Sequence, residues 1–132
     1  MRQTKEDAKG RIVIMDDEPS IRQVCSDIIS FLDYDVDCTS DGEELIAFYK
    51  KALEENIHID AVIVDLTVPN GMGGKEAFQK LKEIDNNVVG IVSSGYSNDS
   101  TMADYKNLGF SGIITKPYQV NEMAKLLASI IK

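Results

Sequence analysis

The sequence has few of the features that specialised classes of protein depend on. Its two cysteines, Cys25 and Cys38, have neither the spacing of a metal site nor the density of a disulfide scaffold. They predict a reduced, cytoplasmic protein with both thiols in or near the core. No apolar run approaches the roughly 18 residues of a membrane span, and the polar residues 1–10 lack the apolar core of a signal peptide. The single histidine, His58, is expected on the surface, away from any reactive site.

Positive charge is also scarce. The chain has 14 lysines and arginines against 22 acidic residues, a net charge of -8 and a pI of about 4.6. This balance argues against binding nucleic acid through a broad basic surface and against docking on an anionic membrane. It suits a site that collects carboxylates around a divalent cation. At 132 residues we expect one domain over residues 11–132, preceded by a polar lead or linker remnant at 1–10.

Two hydrophobic periods alternate along the chain. We predict strands over 11–15, 34–39, 61–66, 88–92 and 110–115 from their apolar runs. Helical spacing predicts helices over 19–32, 45–53, 77–84, 99–107 and 123–131, the second preceded by a capping box at 40–43. Strict alternation implies a doubly wound α/β domain with a parallel sheet, because each parallel crossover needs its helix.

Polar side chains follow four of the five predicted strands, at the point where each strand ends. They are Asp16 and Asp17, then Asp65, then Ser93 and Ser94, and finally Lys116. The carboxyl ends of parallel strands meet at the edge where open α/β sheets bind ligands. Clustered carboxylates require a compensating cation, and their hard oxygen atoms favour Mg²⁺. With a metal, an ammonium and a hydroxyl around it, Asp65 is suited to attack a phosphoryl group.

Four motifs occur in a characteristic order: IVIMDDEP at 12–19, Asp65 with Pro69 four residues later, Ser94-Gly95, and Lys116-Pro117. With them, residues 11–132 resemble a receiver domain of a two-component response regulator. The resemblance implies a flavodoxin-like sheet of strand order 2-1-3-4-5 with five helices. It also implies that Asp65 takes a phosphoryl group from the phosphohistidine of a histidine kinase or a histidine phosphotransfer domain. The chain would catalyse this transfer and its own dephosphorylation, switch conformation, and signal to a partner or attached domain, with phosphorylation-dependent dimerisation.

The resemblance also implies a role for each rim residue. Asp17 and Asp65 would coordinate Mg²⁺ directly together with the backbone carbonyl of Thr67, and Asp16 would act mostly through water.

The phosphoryl group would be bound by Ser94, which we prefer to Ser93 because the small residue Gly95 follows it. Lys116 would pair with the same group, next to a cis bond to Pro117. Ser93 is then structural. Two tyrosines, Tyr96 and Tyr118, flank the rim, and the sequence leaves open whether they shape access or simply pack.

Three features depart from the commonest form of the family. The loop at 70–74 is one residue longer, and with the segment at 93–97 it resembles receiver domains attached to hybrid sensor kinases. Ile113 stands where many receivers carry a switching aromatic side chain, and isoleucine has no ring to rotate. Within residues 11–132 we expect no output domain besides the receiver. These departures leave the phosphorylation chemistry intact and the output route open.

Two other functions are compatible with parts of the sequence. A flavodoxin-type cofactor binder would share the fold, but it needs a hydroxyl- and glycine-rich phosphate loop after the first strand. The acidic segment at 16–19 would repel a phosphate there. A receiver-like protein-interaction module that is never phosphorylated is the second alternative, and the intact set of rim residues argues against it.

Overall fold

The computed structural model describes residues 8–66, 72–95 and 105–131, with the side chain of Ser94 excepted. Its strands are β1 (Arg11–Met15), β2 (Asp35–Thr39), β3 (Ala61–Asp65), β4 (Gly90–Ser94) and β5 (Gly112–Thr115). The helices in these ranges are α1 (Pro19–Phe31), α2 (Gly42–Glu54), α3 (Gly74–Ile84) and α4 (Val120–Ile130). None of these helices is long and apolar enough to cross a bilayer.

The five strands form one parallel sheet of order β2-β1-β3-β4-β5. The doubly wound α/β fold and the strand order implied by the resemblance are therefore confirmed. Met15 lies opposite both Thr39 and Val64 in the register, and Asp65 lies opposite Ser93. Because the strands are parallel and in step, the residues that follow β1, β3 and β5 reach the same edge of the sheet.

The core consists of two layers, one on each face of the sheet. Alternate residues of β1 divide between them, since successive side chains of a strand point to opposite faces. Val13 and Met15 pack with the side chains of α2 and α3, while Ile12 and Ile14 pack with those of α1 and α4. We call the second layer the α1/α4 face. The strands are thus covered on both sides, as their continuous apolar runs predicted.

The helix starts follow local rules, with one correction. Pro19 begins α1, where its missing N–H costs nothing. The N-cap of α2 is Asp41, whose side chain accepts a hydrogen bond from the Glu44 N–H at 2.9 Å. Glu44 in turn accepts from the backbone N–H of Ser40. The predicted capping box closes on Glu44 and not on Glu43, because the helix begins one residue later than the box assumed.

Two further expectations are corrected. The fourth strand runs from Gly90 to Ser94 and not over 88–92, because the Val88 N–H closes a turn onto Asp85 and pairing with β3 begins at Gly90. Of the helix predicted over 99–107, residues 99–104 lie outside the described residues, and the described remainder from Tyr105 onward forms turns. The first seven residues of the predicted lead also lie outside the described residues.

Candidate phosphoryl-acceptor site

The edge of the sheet where β1 and β3 end carries a cluster of three carboxylates. Asp16 and Asp17 follow β1 and Asp65 is the last residue of β3. Each offers an oxygen atom, and these oxygens all lie within 4.8 Å of one another. Asp16 is fully buried, Asp65 is 8% exposed and Asp17 is half-buried. The structure therefore brings together three acids that are separated by up to 49 positions in the sequence.

Asp16 is held by several local contacts. Its Oδ1 accepts a hydrogen bond from the Glu18 N–H at 2.9 Å, and its backbone carbonyl accepts one from Arg22 at 2.7 Å. Its Oδ2 lies 3.0 Å from Lys116 Nζ. Apart from this ion pair, Asp16 Oδ2 is a buried oxygen with no hydrogen-bond partner in the described part of the chain.

Lys116 enters the cluster from the end of β5. Its Nζ lies 3.0 Å from Asp16 Oδ2 and 3.4 Å from Asp65 Oδ2, and its side chain is 18% exposed. Burial lowers the pKa of Lys116, but the contacts with Asp16 and Asp65 outweigh burial and raise this pKa above its ordinary value. The side chain is therefore an ammonium at neutral pH. The peptide bond from Lys116 to Pro117 is cis, as the resemblance implied.

The two serines at the end of β4 differ in what is described of them. Ser93 is 1% exposed, and its hydroxyl oxygen lies 2.6 Å from that of Tyr118. Ser94 is the last residue of β4 and lies opposite Thr115 in the register, but its side chain lies outside the described residues. The structure thus gives Ser93 and Tyr118 a specific contact that simple packing would not require.

Residues 72–74 lie tightly against the end of β3. A Cβ atom on Gly74 would lie 2.6 Å from the backbone oxygen of Asp65, and one on Gly73 would lie 2.7 Å from that of Leu66. The backbone oxygen of Met72 accepts a hydrogen bond from the Gly42 N–H at 2.9 Å. The glycines are needed here because the chain passes so close to the strand that carries Asp65.

The donor set fits a small, hard dication. Three carboxylates converge, one of them has a buried oxygen without a hydrogen-bond donor in the described part of the chain, and Lys116 offsets one of the three negative charges. Oxygen ligands of this kind favour Mg²⁺ over softer metals. The observed residues therefore fit the metal that the resemblance implied.

Two predicted positions, Thr67 with its backbone carbonyl and Tyr96, lie outside the described residues. His58 has 83% of its side chain exposed and lies 3.2 Å from Asp60, which confirms it as a surface residue. Ile113 is partly buried against the core on the α2 and α3 side of the sheet.

Sequence reasoning missed two contacts near the site and misjudged one cysteine. Arg22 was not singled out, although its position one turn into α1 is a signal that it could reach back to the end of β1. The Ser93–Tyr118 pair left no signal in the spacing. Cys25 is buried as predicted, but Cys38 is exposed, although the other four residues of β2 are buried.

Comparison with known proteins agrees with this geometry. The family model described as "Response regulator receiver domain" matches residues 12–128, which is most of the chain. The chain is 28% identical over 123 residues to the chemotaxis protein CheY of Thermotoga maritima, covering 92% of this chain and 98% of that protein.

A second similar protein is longer than this chain. The chain is 29% identical over 124 residues to a probable transcriptional regulator, ycf27, of Porphyridium aerugineum, covering 94% of this chain but 49% of that protein. It thus spans about half the length of that relative. Among solved structures, a chain of the CheX–CheY–BeF₃–Mg complex from Borrelia burgdorferi superposes with a TM-score of 0.82 at 24% identity, covering 93% of this chain and 90% of that one. At this identity the likeness concerns the fold alone.

Proposed function

The chain belongs to the family of response regulator receiver domains, and we propose on that premise that it accepts a phosphoryl group on Asp65 in a magnesium-dependent reaction. The observation that carries the proposal is the convergence of three carboxylates within 4.8 Å with the Lys116 ammonium 3.4 Å from Asp65. Asp65 thereby lies beside carboxylates that can bind a cation and beside the Lys116 ammonium, which can pair with an incoming phosphate.

Asp65 is the nucleophile in this proposal. The donor is the phosphohistidine of a histidine kinase or of a histidine phosphotransfer domain. One oxygen of Asp65 forms a bond to phosphorus while the phosphorus–nitrogen bond breaks, and the histidine nitrogen keeps the electron pair and takes up a proton. The product is an acyl phosphate, whose later hydrolysis returns Asp65 and inorganic phosphate.

Lys116 and Ser94 bind the phosphoryl oxygens. The Lys116 ammonium is already held 3.4 Å from Asp65 Oδ2, so a phosphoryl group on Asp65 comes within its reach and replaces a carboxylate as its partner. Ser94 is assigned the hydrogen bond to a second oxygen because the family motif puts a hydroxyl before the small residue Gly95. The two groups stabilise negative charge where it develops during transfer.

Asp17, Asp65 and the backbone carbonyl of Thr67 would hold Mg²⁺, and Asp16 would act mostly through water. When bound, the ion supplies positive charge that offsets the clustered carboxylates and the phosphoryl oxygens. Asp16 meanwhile orients the rim, because its Oδ1 fixes the turn at Glu18 and its Oδ2 holds Lys116.

The phosphorylated domain would change conformation in the cytoplasm and signal to a partner or an attached domain, with dimerisation on phosphorylation as one form of output. A receiver with Ile113 at the usual aromatic position must pass this change on by a route other than the rotation of a ring.

The test uses a small phosphodonor such as phosphoramidate, followed by intact mass. We expect wild-type protein to gain one phosphoryl group with Mg²⁺ and none with EDTA, and Asp65→Asn to gain none. Asp85→Asn, which removes a carboxylate at the end of α3 far from the site in the fold, is the matched control and should behave like wild type. An unmodified wild type would favour the alternative of an interaction module that is never phosphorylated.

A further inference from the structure

Four neighbouring residues, Asp65, Ser93, Tyr118 and Lys116, form a closed circuit that begins and ends at Asp65. Asp65 lies opposite Ser93 in the parallel pairing of β3 and β4. The hydroxyl oxygen of Ser93 lies 2.6 Å from that of Tyr118. Tyr118 follows Lys116 by two residues, and Lys116 Nζ lies 3.4 Å from Asp65 Oδ2. The phosphoryl acceptor and its lysine are therefore joined by a second route, in addition to their direct ion pair.

All parts of this circuit belong to the α1/α4 face of the sheet. Ile14, Ile63, Ile91 and Ile114 pack in the layer on that face. Because side chains of a strand alternate, the residues two positions further along fall on the same face: Asp16, Asp65, Ser93 and Lys116. The Ser93 hydroxyl, which contacts Tyr118, therefore lies on the same face of the sheet as Asp65 and Lys116.

Tyr118 is anchored at both ends of its side chain. Its ring packs against the α1/α4 layer, and its hydroxyl meets Ser93, which is 1% exposed. Burial, followed by the nearby Cys25 thiol, raises the pKa of Tyr118 above its ordinary value of 10.0. The phenol thus keeps its proton at neutral pH, and the hydrogen bond between the two hydroxyls is maintained.

Without the contact between Tyr118 and Ser93, the Lys116 side chain would be held less firmly. A lysine carries four flexible carbons, and its compact ammonium accepts many geometries around a carboxylate. Ordering such a side chain costs rotamer entropy. Fixing the backbone at Tyr118, two residues away, reduces the number of positions that the ammonium can occupy. Small displacements of a charged group matter for group transfer.

We propose that Tyr118, through its hydrogen bond to Ser93, is a positioning residue that holds Lys116 against Asp65 for phosphoryl transfer. This inference rests on the proposed function of Asp65. It assigns the tyrosine hydroxyl a role that ring packing does not fulfil, so the informative change removes the hydroxyl and keeps the ring.

The first experiment needs no phosphorylation. In protein labelled at lysine, the NMR signals of the Lys116 Cε methylene group report the surroundings of its ammonium. We expect these signals to move in Tyr118→Phe and in Ser93→Ala. The matched control is Tyr34→Phe, because Tyr34 is a buried tyrosine of the same layer that precedes β2 at the other end of the sheet. Lys116 signals that stay in place in Tyr118→Phe would overturn the inference.

The second experiment measures phosphorylation by phosphoramidate as a function of Mg²⁺ concentration. We expect the plateau rate to fall about fivefold in Tyr118→Phe, the loss typical of one hydrogen bond, with the Mg²⁺ midpoint unchanged. Ser93→Ala should match it, and the double variant should also lose about fivefold and not the product of both effects, since one bond is removed each time.

The outcomes separate the two claims. If wild type is modified and Tyr118→Phe reaches the same plateau, or if the two losses multiply, the positioning role is overturned and the proposed function stands. A Mg²⁺ midpoint that shifts together with the plateau would indicate general loosening of the site and would also overturn it. If wild type itself is never modified, the proposed function fails, and a role for Tyr118 in transfer falls with it.

Discussion

Replacing Lys116 by methionine tests how much the carboxylate cluster depends on its ammonium. Methionine keeps most of the volume of the side chain and removes the charge. Lys116 Nζ lies 3.0 Å from Asp16 and 3.4 Å from Asp65, and all three side chains are less than one fifth exposed. The variant leaves the fully buried Asp16 without the cation that now offsets it.

The magnitude follows from these distances. At an effective dielectric constant of about 20, opposite unit charges at such separations attract by roughly 5 kcal/mol before desolvation, and like charges within 4.8 Å repel by roughly 3 kcal/mol or more. Desolvation of the lysine is recovered when it is removed, so the net cost is smaller than the sum of these terms. Removing one partner of a buried pair costs about 3–5 kcal/mol. We therefore expect Lys116→Met to lower the free energy of unfolding in EDTA by about 3 kcal/mol.

The assay is urea unfolding followed by far-ultraviolet circular dichroism, since the chain has no tryptophan. Millimolar Mg²⁺ should stabilise both proteins, and Lys116→Met by the larger amount, because the ion replaces the lost positive charge. Lys125→Met is the matched control, since Lys125 is exposed on α4, and it should change stability by less than about 0.5 kcal/mol. A Lys116→Met protein as stable as wild type in EDTA would refute the electrostatic account of the cluster.

Three further predictions concern the body of the fold. Gly90→Ala should lower the free energy of unfolding by about 1–3 kcal/mol in urea titrations, because its Cβ would lie 2.3 Å from the buried ring of Phe78. In a Phe78→Leu background the loss caused by Gly90→Ala should be smaller. An equal loss in both backgrounds would contradict the clash. Burial and the Asp85 carboxylate, 2.8 Å away, raise the pKa of Tyr49 above 10.0, so the folded state keeps a proton that the unfolded chain releases. The contribution of the Tyr49 phenol to stability is complete below pH 10 and is lost as pH rises toward the folded-state pKa, at up to about 1.4 kcal/mol per pH unit. The free energy of unfolding of Tyr49→Phe should therefore fall less steeply with alkaline pH than that of wild type. An equal fall in both proteins would contradict this. Burial raises the pKa of Cys25 to about 12, so native protein at pH 8 should alkylate with iodoacetamide at Cys38 alone by peptide mass, and rapid labelling of Cys25 would contradict its burial.

The sequence was sufficient for the architecture and for the location of the site. Apolar runs and helical spacing alternate strictly, which leaves few topologies, and polar residues directly after buried strands of a parallel sheet must reach one edge. This is why Asp16, Asp65 and Lys116 could be grouped before their distances were known. The strand order came from the resemblance and not from the periodicity.

What could not be predicted depends on which elements become neighbours. Asp35 and Asp37 are 5% and 7% exposed, although a strand with alternating acids predicts a solvated face. Arg11, on the adjacent β1, lies 3.4 Å from Asp35 and 3.2 Å from Asp37. The hydrogen bond between Ser93 and Tyr118 likewise joins positions 25 residues apart. Such pairs are created by register and packing, which no local pattern contains.

The central claim is that Asp65 is the residue that becomes an acyl phosphate, and reductive trapping tests it most directly. Borohydride reduces an aspartyl phosphate to homoserine, so peptide mass spectrometry after treatment with phosphoramidate and Mg²⁺ identifies the modified position. We predict homoserine at position 65, absent when EDTA replaces Mg²⁺. Homoserine at Asp16 or Asp17, or none at any position in protein that has gained a phosphoryl group, would contradict the account.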